Sequence, residues 1–144
     1  EYHMVESDAR NNDWIDNLPK NKNAIIVMEG VSMYFQRSEL TRLLKHLVSH
    51  FQKVAILMDC YTVFAAKASK YKNPVNDVGV TMLHGIDDPK ILEKDTGLVY
   101  IREHDLTPDE LIDELSGMEK VIFKKLFARR LAKKIYRLYE YKSR

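Results

Sequence analysis

The residues from Ala24 to Asp59 decide the fold, and they read AIIVMEGVSMYFQRSELTRLLKHLVSHFQKVAILMD. Ala24–Met28 and Lys53–Met58 are short, mainly apolar runs, typical of strands that are buried on both faces of a parallel sheet. Between them, Leu40 to Phe51 carries apolar residues at helical spacing, with Ser38 as a candidate N-cap. Strand, helix and strand in this order predict a βαβ unit with a right-handed crossover, and therefore an α/β fold.

Turn and cap residues predict further elements on both sides of this unit. On the amino-terminal side they are a short strand over Tyr2–Val5 and a helix over Trp14–Leu18, with N-cap candidates at Asn11–Asp13. On the carboxyl-terminal side, the first predicted elements are a helix from Thr62 to Tyr71, a short helix that begins at Asp88-Pro89 and ends at Gly97, and a strand over Leu98–Ile101. A helix that begins at Thr107-Pro108 follows, and Gly117 divides it from the basic helix after it. The last part of Ile135–Tyr141 is predicted to be a final strand.

Size and composition are those of a soluble domain. The chain has 144 residues, of which 45% are hydrophobic and 31% charged. No apolar run is long enough to span a bilayer, and residues 1–6 resemble no signal peptide, so we expect no membrane partner. Cys60 is the single cysteine, which excludes an internal disulfide and fits a reducing cytoplasm, where we expect the protein to be located.

Charge is nearly balanced at a net +2, but basic residues are concentrated between Met118 and Arg144. Such a segment attracts phosphate groups, yet patterned charge on an amphipathic helix is more often a solvated face. Phe123 and Phe127 fit the apolar face of that helix better than they fit a base-stacking role. We therefore expect no nucleic acid among the partners.

The polar residues that follow predicted strands are the candidate site, because ligands of α/β sheets bind at the carboxyl ends of strands. They are Asp8, Glu29 and Asp59. Glu29 could meet a ligand, and Gly30 would let the backbone turn or come close to it. Spacing alone leaves a second interpretation open, in which Glu29 is a turn or capping residue.

Other motifs carry less chemistry. His46 and His50 have a spacing that can bind metal, but no third ligand is evident and we expect no metal. His84 and His104 could act as bases, although a single histidine is more often a surface or core residue. Cys60 is expected to be a buried thiol. Ser32 lacks the glycine context of a hydrolase nucleophile.

Four segments are informative when taken together. They are Ser7-Asp8-Ala9 with Asp13-Trp14-Ile15, the string AIIVMEGVSMY from Ala24 to Tyr34, Leu57-Met58-Asp59-Cys60-Tyr61, and Gly85-Ile86-Asp87-Asp88-Pro89. Together they resemble the leucine carboxyl methyltransferases and the polyketide O-methyltransferases of the tetracenomycin type. The resemblance covers nearly the whole chain in the same order. It implies a Rossmann-like class I fold in which the terminal strand lies antiparallel between the Val54 and Val99 strands.

The same resemblance implies a set of ligand contacts. The cofactor would be S-adenosylmethionine, with the Asp8 carboxylate and the Ala9 amide holding the adenine and Glu29 contacting the cofactor. Apart from the resemblance, Tyr34 and Met33 could line a substrate pocket, although packing of the following helix explains them at least as well. The acceptor would be a small, polyketide-like molecule, and the choice between a carboxyl and a hydroxyl group stays open. No catalytic residue is assigned, because an ionised carboxylate acceptor needs no base.

The family's glycine-rich loop and ribose-binding acid have no counterpart in these residues. We therefore expect residues 1–144 to be the C-terminal portion of a single methyltransferase domain, inactive alone, with an exposed sheet edge that favours self-association. The alternative is a non-catalytic interaction or dimerisation module that has a methyltransferase-like half-fold.

Overall fold

The described residues of the computed structural model are 3–69, 82–105, 109–118, 120–121 and 132–144. Their strands are β1 (Asn23–Met28), β2 (Lys53–Tyr61), β3 (Leu98–His104) and β4 (Tyr136–Ser143). Their α-helices are α1 (Arg37–His50), α2 (Val63–Ala68), α3 (Glu93–Thr96), α4 (Asp109–Asp113) and α5 (Ala132–Ile135), and single 3₁₀ turns span Asn12–Asn17, Ser32–Tyr34 and Pro89–Leu92.

The strands form one mixed sheet in the order β1-β2-β4-β3. β1 and β2 are parallel, with Ala24 opposite Val54 and Met28 opposite Met58, and α1 connects them. β4 is antiparallel to both of its neighbours, β2 and β3. The predicted βαβ unit and the predicted place of the terminal strand are both confirmed.

The core lies between α1 and one face of the sheet. The helix buries Leu40, Leu43, Leu44 and Leu47, because these residues recur every three or four positions and so share one side of the helix. Facing them are the alternate residues Val54, Ile56 and Met58 of β2, together with Tyr139 and Tyr141 of β4.

The opposite face of β1 is open to solvent. Ile25 is 85% exposed and Val27 is 65% exposed. Their partners across the parallel ladder are Ala55 and Leu57, which are only partly buried. Within the part of the chain that the structure describes, β1 is also an edge strand, so both its backbone edge and this apolar face lack a covering element.

Several predicted element boundaries need correction. Residues 3–8 form no strand, although Tyr2–Val5 was expected to be one, because no described strand pairs with them. The segment at Trp14 is a 3₁₀ turn, which Asn11 caps as predicted by accepting from the Asp13 N–H at 3.3 Å. Helix α1 has its N-cap at Gln36 rather than Ser38, because the Glu39 carboxylate accepts from the Gln36 N–H at 2.7 Å.

The remaining elements begin where the sequence predicts, but β2 continues past Met58 to Tyr61 and α2 ends at Ala68. Thr62 caps α2, but the predicted helix end at Tyr71 lies outside the described residues, as do the helix start at Thr107-Pro108 and most of the basic segment. Asp88 caps the turn that leads into α3, and Gly97 ends α3 with φ +79°. β3 continues past Ile101 to His104.

Candidate functional site

The candidate site begins where β1 ends beside β2, which continues to Tyr61. Met28 and Met58 are paired in the ladder, so the following residues, Glu29-Gly30 and Asp59-Cys60, start from the same edge of the sheet. Glu29 is exposed there, whereas Asp59 is only 8% exposed. The two carboxylates that sequence placed at neighbouring strand ends therefore have opposite environments.

Asp59 joins the two strand ends. Both of its carboxylate oxygens lie 2.9 Å from the Gly30 N–H, and the Ser32 hydroxyl donates to the Asp59 carbonyl. Burial is the main cause of a raised pKa for the Asp59 carboxyl group, and the nearby Glu29 charge raises it further, while the bond from Gly30 lowers it.

The segment after residue 81 covers this edge through backbone bonds. The His84 N–H donates to the Met33 carbonyl at 2.8 Å, and the Ile86 N–H donates to the Tyr61 carbonyl at 2.8 Å. Gly85 forms a parallel bridge to Tyr61, and a Cβ at Gly85 would lie 2.4 Å from the Thr62 carbonyl carbon and oxygen. Only glycine permits this approach without a shift of the backbone.

These elements enclose a cleft of about 620 Å³, a size that suits a small organic ligand. Its wall combines apolar and polar side chains from the first described segment, the turn after β1, the start of α1 and the segment after residue 81. The lining residues are Asp8, Ala9, Arg10, Val31, Tyr34, Phe35, Gln36, Glu39, Met82 and His84.

Of the residues predicted from sequence, Asp8, Ala9 and Tyr34 lie together in this cleft. Glu29 is not among its lining residues and stays at the exposed end of β1. Tyr34 is 41% exposed, so its ring contributes to the wall rather than to the core.

Arg10 is a cleft residue that sequence reasoning missed. Its Nη2 lies 2.8 Å from Asp8 Oδ2, and its Nε lies 3.0 Å from Asp8 Oδ1, which also accepts from the Arg10 N–H at 3.0 Å. The side-chain bond to Arg10 is the main cause of a lowered pKa for the Asp8 carboxyl group. Asp8 is therefore an ionised acceptor whose first partner is an arginine two residues away.

A pair of tyrosines stands behind the cleft at the end of β2. The Tyr61 and Tyr136 rings meet edge to face, with centroids 4.6 Å apart. Burial raises the pKa of Tyr136, and the hydrogen bond to Tyr61 raises it further. Tyr136 is therefore a neutral phenol near physiological pH and cannot serve as a general base.

Other titratable groups have partners away from the cleft. The His50 ring donates to the Leu18 carbonyl at 3.0 Å, and His46 lies 3.4 Å from Asp16. His104 pairs with Glu140 at 2.8 Å, whereas His84 lines the cleft.

The described residues contain no group of three or more His, Cys, Asp or Glu side chains that could hold a metal ion. No described helix is long and apolar enough to cross a membrane.

Two curated proteins are homologous to this chain. The tetracenomycin polyketide synthesis O-methyltransferase TcmP of Streptomyces glaucescens is 24% identical over 120 residues, which cover 83% of this chain and 44% of TcmP. The S-adenosyl-L-methionine-dependent methyltransferase dpfgK of Gibberella zeae is 25% identical over 111 residues, which cover 69% of this chain and 37% of dpfgK. The chain thus spans less than half the length of these relatives, and no protein-family model matches it.

Proposed function

We propose that this chain is the C-terminal portion of an S-adenosylmethionine-dependent O-methyltransferase domain with a Rossmann-like sheet. Homology to two methyltransferases carries the proposal. The mixed sheet supports it, because its terminal strand lies antiparallel inside the sheet where the family resemblance implies it. So does the cleft, in which Asp8, Ala9 and Tyr34 meet although Tyr34 is distant from the other two in sequence.

The cleft fits the adenine end of the proposed cofactor. Val31, Phe35 and Met82 supply an apolar wall for a flat ring, and Asp8 supplies a carboxylate acceptor for the exocyclic amine. The Ala9 amide would be the second polar contact. Glu29, at the end of β1, would contact the ribose or methionyl part beyond the cleft.

When bound, S-adenosylmethionine supplies a methyl group activated by its sulfonium. The contribution of the protein is then to hold the acceptor oxygen in line with that carbon, and proximity accounts for much of the acceleration. Tyr34 would line the acceptor side of the cleft. The acceptor would be a small, polyketide-like molecule with a carboxyl or hydroxyl group.

Substitution of Asp8 and Glu29 tests the cofactor site. In the protein as its gene encodes it, Asp8→Ala should weaken S-adenosylmethionine binding about tenfold or more, because a charged acceptor is lost. Glu29→Ala should also weaken binding. Titration calorimetry measures both. Asp16→Ala is the matched control, since that exposed carboxylate contacts His46 outside the cleft.

Arg10→Gln tests whether Asp8 contacts the cofactor directly or serves mainly as the partner of Arg10. If Asp8 contacts the cofactor directly, removal of the guanidinium should leave affinity unchanged or raise it, since the carboxylate then has no competing partner. Unchanged affinity in both Asp8→Ala and Glu29→Ala would rule out the site as assigned.

A second candidate function is a non-catalytic dimerisation module, and the exposed face of β1 favours it. Ile25 and Val27 together form an apolar strip that a second copy could cover. The gene sequence upstream of Glu1 distinguishes the two functions. A glycine-rich strand, loop and helix encoded there support the methyltransferase, and a start codon directly before the Glu1 codon supports the module.

A further inference from the structure

Asp59 is the buried anchor of the turn that follows β1. Its side chain reaches from the end of β2 to the Gly30 N–H, with both oxygens at 2.9 Å, and its own carbonyl accepts from the Ser32 hydroxyl. A buried carboxylate needs compensation by hydrogen bonds, and Gly30 provides it. This single side chain therefore fixes the start of the turn against the neighbouring strand.

The anchored turn carries the residues assigned to ligand contact. Gly30 has φ +65°, a left-handed conformation that glycine adopts with little strain, and Glu29 directly precedes it. Two residues later the 3₁₀ turn Ser32–Tyr34 begins, closed by the Phe35 N–H on the Ser32 carbonyl at 3.2 Å. That turn brings Tyr34 to the cleft.

We propose that Asp59 is a positioning residue for the methyltransferase site, holding Glu29 and Tyr34 in place through the Gly30 amide and Ser32. The proposal rests on the proposed function, since it assigns Asp59 a role in the same site. Asp59 is 8% exposed and is not a lining residue of the cleft, so it acts through the turn rather than on a ligand.

The burial of the Asp59 carboxyl group allows its effect on the turn to be separated from its effect on the stability of the fold. Burial and Glu29 raise the pKa of Asp59, and its charge also acts on the neighbouring Cys60 thiol and the Tyr136 phenol. An acid with a raised pKa in the fold stabilises it most when protonated, and that contribution is lost as pH rises through the folded pKa. Because burial disfavours the charged form, a neutral amide at this position should destabilise the fold less than removal of the whole side chain, while it still weakens the anchor.

The test compares Asp59→Asn and Asp59→Ala with Asp87→Asn in the protein as its gene encodes it. Asp87 is a matched control, because its carboxylate accepts from the Val63 N–H at 2.9 Å on an exposed turn. The measurements are hydrogen exchange of the Gly30 amide by NMR, S-adenosylmethionine affinity by calorimetry, and the thermal midpoint.

We expect Asp59→Ala to speed Gly30 exchange and weaken S-adenosylmethionine binding, each by about tenfold or more, as for loss of a charge-assisted hydrogen bond. Asp59→Asn keeps one acceptor oxygen, so both effects should be smaller, and the thermal midpoint should fall less than in Asp59→Ala. Asp87→Asn should change neither Gly30 exchange nor affinity. If Asp59→Ala does not fold, the Gly30 exchange rate and the S-adenosylmethionine affinity of Asp59→Asn still test the positioning role.

Each outcome has a distinct meaning. Wild-type affinity in the Asp59 variants, or unchanged Gly30 exchange in both, overturns the positioning role and leaves the proposed function intact. A wild-type protein that does not bind S-adenosylmethionine overturns the proposed function. Gly30 exchange then still shows whether Asp59 holds the turn.

Discussion

At the residue scale, Cys60 follows Asp59 in β2, and its buried thiol is expected to be unreactive. Its side chain is 1% exposed, and burial raises the pKa of the thiol to about 12. Because the thiolate is the reactive form, the native protein should resist thiol reagents at about pH 8. The expectation of a buried thiol is confirmed, and its reactivity is directly measurable.

Labelling with a chromogenic disulfide reagent tests this. In residues 1–144, the native Cys60 thiol should react only as fast as the fold opens, and after unfolding in guanidinium it should react at once with one equivalent per chain. Rapid stoichiometric labelling under native conditions, at a thermal midpoint unchanged by the reagent, would contradict the burial of Cys60.

Single residues of the site were only partly predictable. Asp8 and Ala9 were assigned from a resemblance to a family and Tyr34 from its place after β1, and all three residues line one cleft. The Arg10 contact with Asp8 could not be predicted, because it depends on the backbone conformation over two residues rather than on a pattern. The role of Asp59 was also hidden, since a carboxylate at a strand end looks the same in sequence whether it is exposed or bonded to an amide.

At the element scale, the segment after residue 81 depends on Gly85. A methyl group there would lie 2.4 Å from the Thr62 backbone, so Gly85→Ala should destabilise the fold by about 1–3 kcal/mol through overpacking. It should also disturb the cleft, since His84 and Met82 line it. Urea unfolding gives the change in the free energy of unfolding.

Gly30→Ala is the comparison for that measurement. No atom lies within 4 Å of a Cβ at Gly30, so its effect comes from the left-handed φ alone, at about 1 kcal/mol. A Gly85→Ala protein within about 0.5 kcal/mol of wild type would mean that the bridge to Tyr61 is not as close as described.

Elements were more predictable than single contacts. β1, α1 and β2 follow from apolar periodicity, which is a local property of sequence. The position of β4 between β2 and β3 is a long-range pairing that periodicity cannot give, and it came from the family resemblance. The strand expected at Tyr2–Val5 was wrong because an extended segment becomes a strand only when another strand pairs with it.

At the scale of the whole molecule, the exposed apolar face of β1 is expected to control self-association. With Ile25 85% exposed and Val27 65% exposed, isolated residues 1–144 should self-associate through this strand. Replacement of both residues by Thr keeps β-propensity and removes apolar surface, so light scattering should show a smaller assembly. Phe64→Thr, at an exposed α2 residue, is the control and should have little effect.

The same preparation tests the domain proposal. If a larger domain completes the cofactor site, residues 1–144 alone should bind S-adenosylmethionine with a Kd of about 1 mM or weaker. Micromolar binding by a monodisperse monomer would contradict both the partial-domain proposal and the expected self-association.

The place of β4 also governs how this sheet can assemble. Ala55 pairs with Lys142 and Leu98 pairs with Ser143, so β2 and β3 are joined in the sheet only through β4, which follows both of them in sequence. During synthesis, β2 and β3 therefore cannot join one sheet until β4 has been added. Deletion of β4, Tyr136–Ser143, would divide the sheet between β2 and β3, whereas deletion of an edge strand only shortens a sheet.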